Sequence, residues 1–230
     1  MSRGRGAILT TNQTFHGEID HFVMAAPNLE RACADFERAT GVAPIAGGAH
    51  PGRGTHNALV AFDDSAYLEI IAPDPAQAAT GMSAPMAKLA APTLMHWAIR
   101  CRGLEALAAR LRDMGWTPTP VNRMSRTPPG GTRLDWELFG VHRHSFGGLA
   151  PFFIDWLNSP RPPSTSPRVG ALRSVRLAVD DPVAIRNLVA LLGVDVQVTA
   201  GAPTLAIAFA SPRGEIRFEG TNPRGFTLGD

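Results

Sequence analysis

The sequence predicts an α+β protein assembled from repeated βαβββ units, and three observations carry that prediction. A short apolar segment leading into an amphipathic helix closed by glycine recurs along the chain. The helices begin at about 75-residue intervals, the spacing of a supersecondary module rather than of a solenoid repeat. The stretches after each helix are strand-length and apolar, punctuated by Gly, Pro and Asp.

The first unit opens with a strand over residues 19–25 and passes through Pro27-Asn28-Leu29 into a helix over 30–40. Asn28 is its N-cap and Gly41 its left-handed C-terminal residue. Strands follow over 55–62 and 66–71, joined by a turn at Asp63-Asp64 and ended by Pro73-Asp74-Pro75. The second unit repeats the pattern with a strand over 94–100, a helix over 104–114 and Gly115. Strands over 119–126 and 132–139 flank a turn at Pro128-Pro129-Gly130-Gly131, and a last strand covers 151–156. The third, shorter unit has a strand over 175–179, Asp181 as cap, a helix over 184–192 and Gly193. Strands over 195–199, 204–209 and 214–218 complete it. Residues 76–92 read as a small-residue connector between the first two units. Residues 159–168, with Pro160, Pro162, Pro163 and Pro167, read as a linker to the third. The expected organisation is a disordered leader over 1–15, two modules (18–75 and 93–158) forming one domain over 16–158, and a third module over 169–222.

A chain of 230 residues, 44% hydrophobic and 18% charged, can bury a substantial core. No window approaches the roughly 18 to 20 apolar residues of a membrane helix, and residues 1–14 lack the apolar core of a signal peptide. The formal charge is +2 and no basic stripe carries interleaved aromatics, which argues against nucleic acid as a partner. Cys33 and Cys101 form no CxxC pair and read as reduced thiols of a cytoplasmic protein. His142 and His144 have a spacing that suits one metal ion, but their Gly- and Ser-rich surroundings read as a loop. Gly47-Gly48 and Gly130-Gly131 read as turns, not phosphate loops.

Particular residues resemble a known family. Ile19-Asp20-His21-Phe22, Tyr67-Leu68-Glu69-Ile70 and Leu94-Met95-His96-Trp97 resemble the vicinal-oxygen-chelate superfamily. Gly54-Thr55-His56-Asn57, the hairpin from Arg123 to Trp136, and Pro151-Phe152-Phe153-Ile154-Asp155-Trp156 are similar to its glyoxalase-like group. The resemblance covers residues 18–158 well and 170–220 by module shape. It implies that two modules pair and curl their sheets into an open cup holding a small molecule. It implies His21, Glu69 and His96 as ligands of a divalent ion (Fe, Mn, Ni, Co or Zn) in a 2-His-1-carboxylate arrangement with open positions. Such an ion would act as a Lewis acid toward a substrate with adjacent oxygens.

One position departs from the pattern. Alignment of the two units sets Phe153, not a carboxylate, opposite Glu69. Asp155, two residues on and on the same strand face, is the candidate second carboxylate, as a ligand or a general base. In the third unit Ser174 and Arg176 flank the equivalent of His21, so no metal is expected there.

Each candidate also has an ordinary reading. A histidine on an apolar strand is commonly a satisfied core residue, but His21 and His96 stand at matching positions of two repeats. Glu69 lies in an otherwise apolar strand, where an unpartnered carboxylate is costly. Arg123 and Arg126 face opposite ways, so at most one reaches the cup, where it would pair with a substrate carboxylate. Of His56 and Asn57, one lines the pocket, and Trp136 reads as core or pocket wall. The leading expectation is a metal-dependent isomerase, lyase or dioxygenase acting on a small oxygenated molecule. The rival is a metal-free binding protein in which His21 and Glu69 hydrogen-bond each other. An odd third module suggests pairing with its copy in a homodimer.

Overall fold

The computed structural model describes residues 14–63, 66–126 and 133–221. Most of the expected leader, half of the Asp63-Asp64 turn and the turn at Pro128-Pro129-Gly130-Gly131 lie outside the described residues.

The first module consists of β1 (Gly17–Ala25), α1 (Leu29–Thr40), β2 (Ile45–His50), β3 (Thr55–Phe62) and β4 (Tyr67–Pro73). Its helix is bounded as the sequence indicates. The Asn28 side chain accepts a 2.8 Å hydrogen bond from the Arg31 amide, and Gly41, at φ 83°, donates to the Glu37 carbonyl. β2 was not legible beforehand: Ile-Ala-Gly-Gly-Ala-His has little strand propensity, and pairing with β3 decides its conformation. Residues 76–92 are more than a connector, because they hold the short α2 (Ser83–Met86), whose Met86 is fully buried.

The second module contains β5 (Thr93–Cys101), α3 (Leu104–Asp113), β6 (Thr117–Pro118), β7 (Asn122–Arg126), β8 (Leu134–Phe139), β9 (Val141–His142) and β10 (Phe152–Asp155). The strand expected over 119–126 is shortened to β7, which begins after Pro120; just ahead of it Thr117 and Pro118 form the separate β6, so β6 pairs with β9 while β7 pairs with β8.

Both modules are wired alike, with first strand beside last strand in parallel: β1 with β4, and β5 with β10. They join where β1 meets β5 antiparallel, giving the strand order β3-β4-β1-β5-β10-β8-β7, with β2 on the outer edge of β3. The sheet curls until its ends approach: a Cβ built on Gly48 of β2 would lie 3.7 Å from Nη1 of Arg126 on β7. This is the curled, open half-barrel that the family resemblance implies.

Alternation divides the sheet into two faces. Phe22, Leu68, Ile70, Trp97, Ile99 and Phe153 pack outward beneath Phe36 of α1 and Leu107 and Leu111 of α3. Each large apolar side chain so buried contributes about 1.5–3 kcal/mol. Val23, Ile71, Met95, Ala98, Phe152 and Ile154 line the inner face, with Met86 against them.

The third module comprises β12 (Leu172–Val179), α4 (Val183–Leu192), β13 (Gln197–Ala200), β14 (Thr204–Ser211) and β15 (Gly214–Gly220), preceded by β11 (Arg168–Gly170). It keeps the βαβββ order but not the wiring. Its strand order β13-β12-β14-β15 places the first strand between the second and third. Phe209 lies against Phe36 and Phe62, and Gly220 approaches the Leu94 carbonyl so closely that an added Cβ would sit 1.8 Å from it. The module's apolar face is thus covered within the chain. The proline-rich stretch is also packed: Pro162 and Pro163 are buried and β11 pairs with β3.

Candidate functional site

The site begins at an irregularity in the seam between the modules. On β1, Ile19 pairs with Ile99 but His21 with Ala98, so Asp20 is an extra, bulged residue. Strict alternation would send Asp20 and His21 to opposite faces. Here the fully buried Asp20 carboxylate lies beside the imidazole and accepts a 2.7 Å hydrogen bond from His21 Nδ1. Its second oxygen accepts from Trp156 Nε1 at 3.1 Å. With the Nδ1 proton so held, His21 Nε2 is the basic nitrogen, and it faces Glu69 Oε2 at 3.7 Å. Tyr67, register partner of His21, stacks on the ring with centroids 4.6 Å apart.

Glu69 is held from its other side. Asn57 donates to Glu69 Oε1 at 2.6 Å and reaches His50 Nε2 at 3.3 Å. His50 donates through Nδ1 to the Thr55 hydroxyl at 2.9 Å, and its Nε2 lies 3.6 Å from Glu69 Oε1. Burial lowers the His50 pKa more than the Glu69 charge raises it, which keeps the ring neutral. Burial, followed by the charges of Asp20 and Glu69, pushes the Tyr67 phenol well above its ordinary range. Gly47 permits this packing, since a Cβ there would stand 2.2 Å from Asn57 Oδ1.

His96 is differently placed. It is 7% exposed, its Nε2 donates to the Ala150 carbonyl at 2.9 Å, and its Nδ1 is buried without a partner. Burial lowers its pKa to about 4. The Phe152 ring packs against both histidines, with centroids 5.2 Å from His21 and 5.1 Å from His96. Among the described residues no three His, Cys, Asp or Glu side chains are grouped to hold a metal ion. The donor set His21, Glu69 and His96 therefore does not fit a divalent ion as it stands: His96 is committed to a carbonyl and a phenyl ring contacts both imidazoles.

The remaining expected residues divide clearly. Arg126 shares a face with Met124, whose register partner Trp136 packs on the inner-face cluster, whereas Arg123 is exposed on the other face. Asn57, not His56, is the buried member of its pair and shares the inner face. Trp136 lies 5.5 Å from Trp156, which in turn holds Asp20. Asp155 does not reach the cup. Phe152 and Ile154 occupy the inner face of β10, so Asp155 points outward with Phe153; burial, and after it the Asp155 charge, raises the Cys101 pKa, and Asp155 accepts from the Leu157 amide. His144 turns back to the Val141 carbonyl of β9, the two-residue strand that also holds His142, which thus lies in a short strand rather than a loop. A cleft of about 290 Å³ at the far end of β5 and β10 includes Asp155, Arg100, Arg102 and Arg161 but none of His21, Glu69 or His50. The convergent acid–base groups lie in the cup, not there.

Three site residues were not foreseen. Asp20 adjoins His21 in sequence, but only the bulge turns it to the same side. His50 lies on the strand that went unread. Tyr67 is the chain's single tyrosine and stands two residues before Glu69, a signal available in the sequence.

A family model described as a glyoxalase-like domain matches residues 19–193. The structure of a hypothetical protein from Staphylococcus aureus superposes with a TM-score of 0.59 at 15% identity, covering 89% of this chain and 86% of that one. That likeness is one of fold alone. Methylmalonyl-CoA epimerase from Mycobacterium tuberculosis aligns with a TM-score of 0.41 at 20% identity, over 64% of this chain and 91% of that one. A Streptomyces coelicolor methylmalonyl-CoA epimerase in complex with 2-nitronate-propionyl-CoA aligns at 0.44 and 20% identity, over 59% and 94%. No curated protein matches the chain. Among the described residues no helix is long and apolar enough to cross a membrane.

Proposed function

This chain belongs to the glyoxalase-like domain family, and from that premise we propose that it is an enzyme moving a proton on a small oxygenated molecule bound in the cup. The observation that carries the reading is the line Asp20–His21–Glu69: an anchored imidazole whose free nitrogen faces a carboxylate at 3.7 Å. His21 Nε2 is the base that takes a proton from the substrate, and Asp20 stabilises the imidazolium that forms. Glu69 sits across from it as the partner that gives or receives a proton at a neighbouring substrate atom. Asn57 and His50 position Glu69; Tyr67 and Trp156 position His21 and Asp20.

The resemblance implies a finer reading, a divalent ion on His21, Glu69 and His96. In its favour, a carboxylate on Nδ1 is how metal-bound histidines are commonly oriented. Against it stand the Ala150 bond of His96 and the Phe152 ring.

The test is C–H exchange in D₂O, followed by NMR across small 2-oxo and 2-hydroxy compounds, on protein purified without a metal-binding tag and assayed for Fe, Mn, Ni, Co and Zn. Exchange should persist in chelator and fall by about 10²–10⁴ in His21→Asn and Glu69→Gln. Exchange that instead requires stoichiometric metal, lost in both variants, transfers the chemistry to the ion. Ligand binding with no exchange in any sample makes the cup a binding site only.

A further inference from the structure

We propose that the cup receives its ligand as an anion, a small carboxylate seated against the Nε–Nη edge of Arg126. The inference rests on the reading of the cup as the ligand site and names the class of molecule that enters it.

Arg126 ends an edge strand, where an arginine ordinarily extends into water. Its side chain instead turns inward, on the face shared with Met124, Trp136 and Leu138. Its Nε is buried and has no hydrogen-bond partner. A guanidinium is a planar fork of donors that cannot lose its charge, so a buried Nε–H without an acceptor is a destabilising arrangement until one arrives. The two sheet ends approach each other here, with Arg126 Nη1 3.7 Å from a Cβ built on Gly48. The guanidinium charge is felt at His50 and at Tyr67, which puts it within electrostatic reach of the groups that surround Glu69.

The acids near it are already engaged. Glu69 accepts from Asn57 and faces two imidazoles, and Asp20 serves His21 and Trp156. A planar carboxylate matches the side-on edge of a guanidinium with two parallel hydrogen bonds. A phosphate dianion would bring a second negative charge toward Glu69 and Asp20, so the pocket favours the monoanion. Small 2-oxo or 2-hydroxy acids are accordingly favoured over neutral diols and aldehydes.

The experiment is an NMR titration with 2-hydroxybutyrate and its uncharged primary amide, using wild-type protein, Arg126→Gln, Arg126→Lys and Arg123→Gln. Wild type should bind the acid at least about tenfold more tightly than the amide. Arg126→Gln should lose that preference, Arg126→Lys keep part of it, and Arg123→Gln leave it unchanged. The preference should weaken with added salt in wild type, a check that needs no variant to fold. Equal binding of acid and amide, no acid binding in wild type, or an acid preference that survives in folded Arg126→Gln overturns the proposal. His21→Asn separates the two readings, since it should cut exchange by about 10²–10⁴ and keep the acid preference. Acid preference without exchange in wild type would sink proton transfer alone, and exchange on neutral compounds without acid preference would sink the Arg126 site alone.

Discussion

His21 and His96 stand at matching places on the first strands of two paired modules, and the seam between those strands is bulged at both. On β1 the extra residue is Asp20; on β5, where Val23 pairs with His96 but Met24 with Leu94, it is Met95. The backbone device is the same and the chemistry opposite. In one module the bulge delivers a carboxylate to imidazole Nδ1. In the other it delivers a buried thioether chain, Nδ1 has no partner, and the ring turns its Nε2–H to the Ala150 carbonyl. A repeat duplicates positions, but the residue beside each position decides whether a histidine is an acid–base group or a piece of the core.

The largest expected effect tests that asymmetry directly. His21→Asn should reduce C–H exchange by about 10²–10⁴, while His96→Gln, which keeps a donor for Ala150, should change it only a few-fold. Equal losses in both would make the two histidines partners after all. Next is Phe152→Ala, which removes the ring packed on both imidazoles and should cost about 3–5 kcal/mol in urea unfolding. A change below about 1 kcal/mol would mean that the ring does not hold the inner face together.

A smaller effect concerns pH. His96 has a folded pKa of about 4, below its ordinary value of 6.5, so the unfolded chain takes up the proton first as pH falls. The stability associated with the neutral ring is complete above about pH 6.5 and drains away as pH falls toward 4, by up to about 3 kcal/mol. Unfolding of wild type and His96→Gln at pH 7 and 4.5 should show a shallower loss in the variant; parallel losses would mean another group governs acid sensitivity. The smallest effect sharpens the comparison by exchange of the bulge residue. Met95→Asp puts a carboxylate at the bulge position adjoining His96, as Asp20 adjoins His21, and should raise the His96 pKa toward the ordinary range, read by ¹H–¹⁵N NMR of the ring. A pKa that stays near 4 would show that burial alone sets it.

Much of this was legible in one dimension. Asn28, Gly41 and Gly193 mark helix ends because capping chemistry and positive φ are local demands. The recurring strand–helix grammar gives the modules, and period-two alternation separates Arg126 from Arg123. The sequence sets Asp155 on the face of Phe153, and in the folded chain that face is the outer one. Counting along β10 fixes which residues share a face, not which face lies inside the cup.

The sequence by itself thus determined the α+β class, the repeated modules, the helix ends and the family resemblance, all of which rest on local propensity and periodicity. Only the tertiary structure decided that Asp20 joins His21, that β2 forms and brings His50 to Glu69, that Phe152 contacts both imidazoles, and that the third module is wired differently. These depend on strand register, on a bulge and on the closure of the sheet upon itself. Each is fixed by pairing between segments far apart in the chain, where local preference has no say.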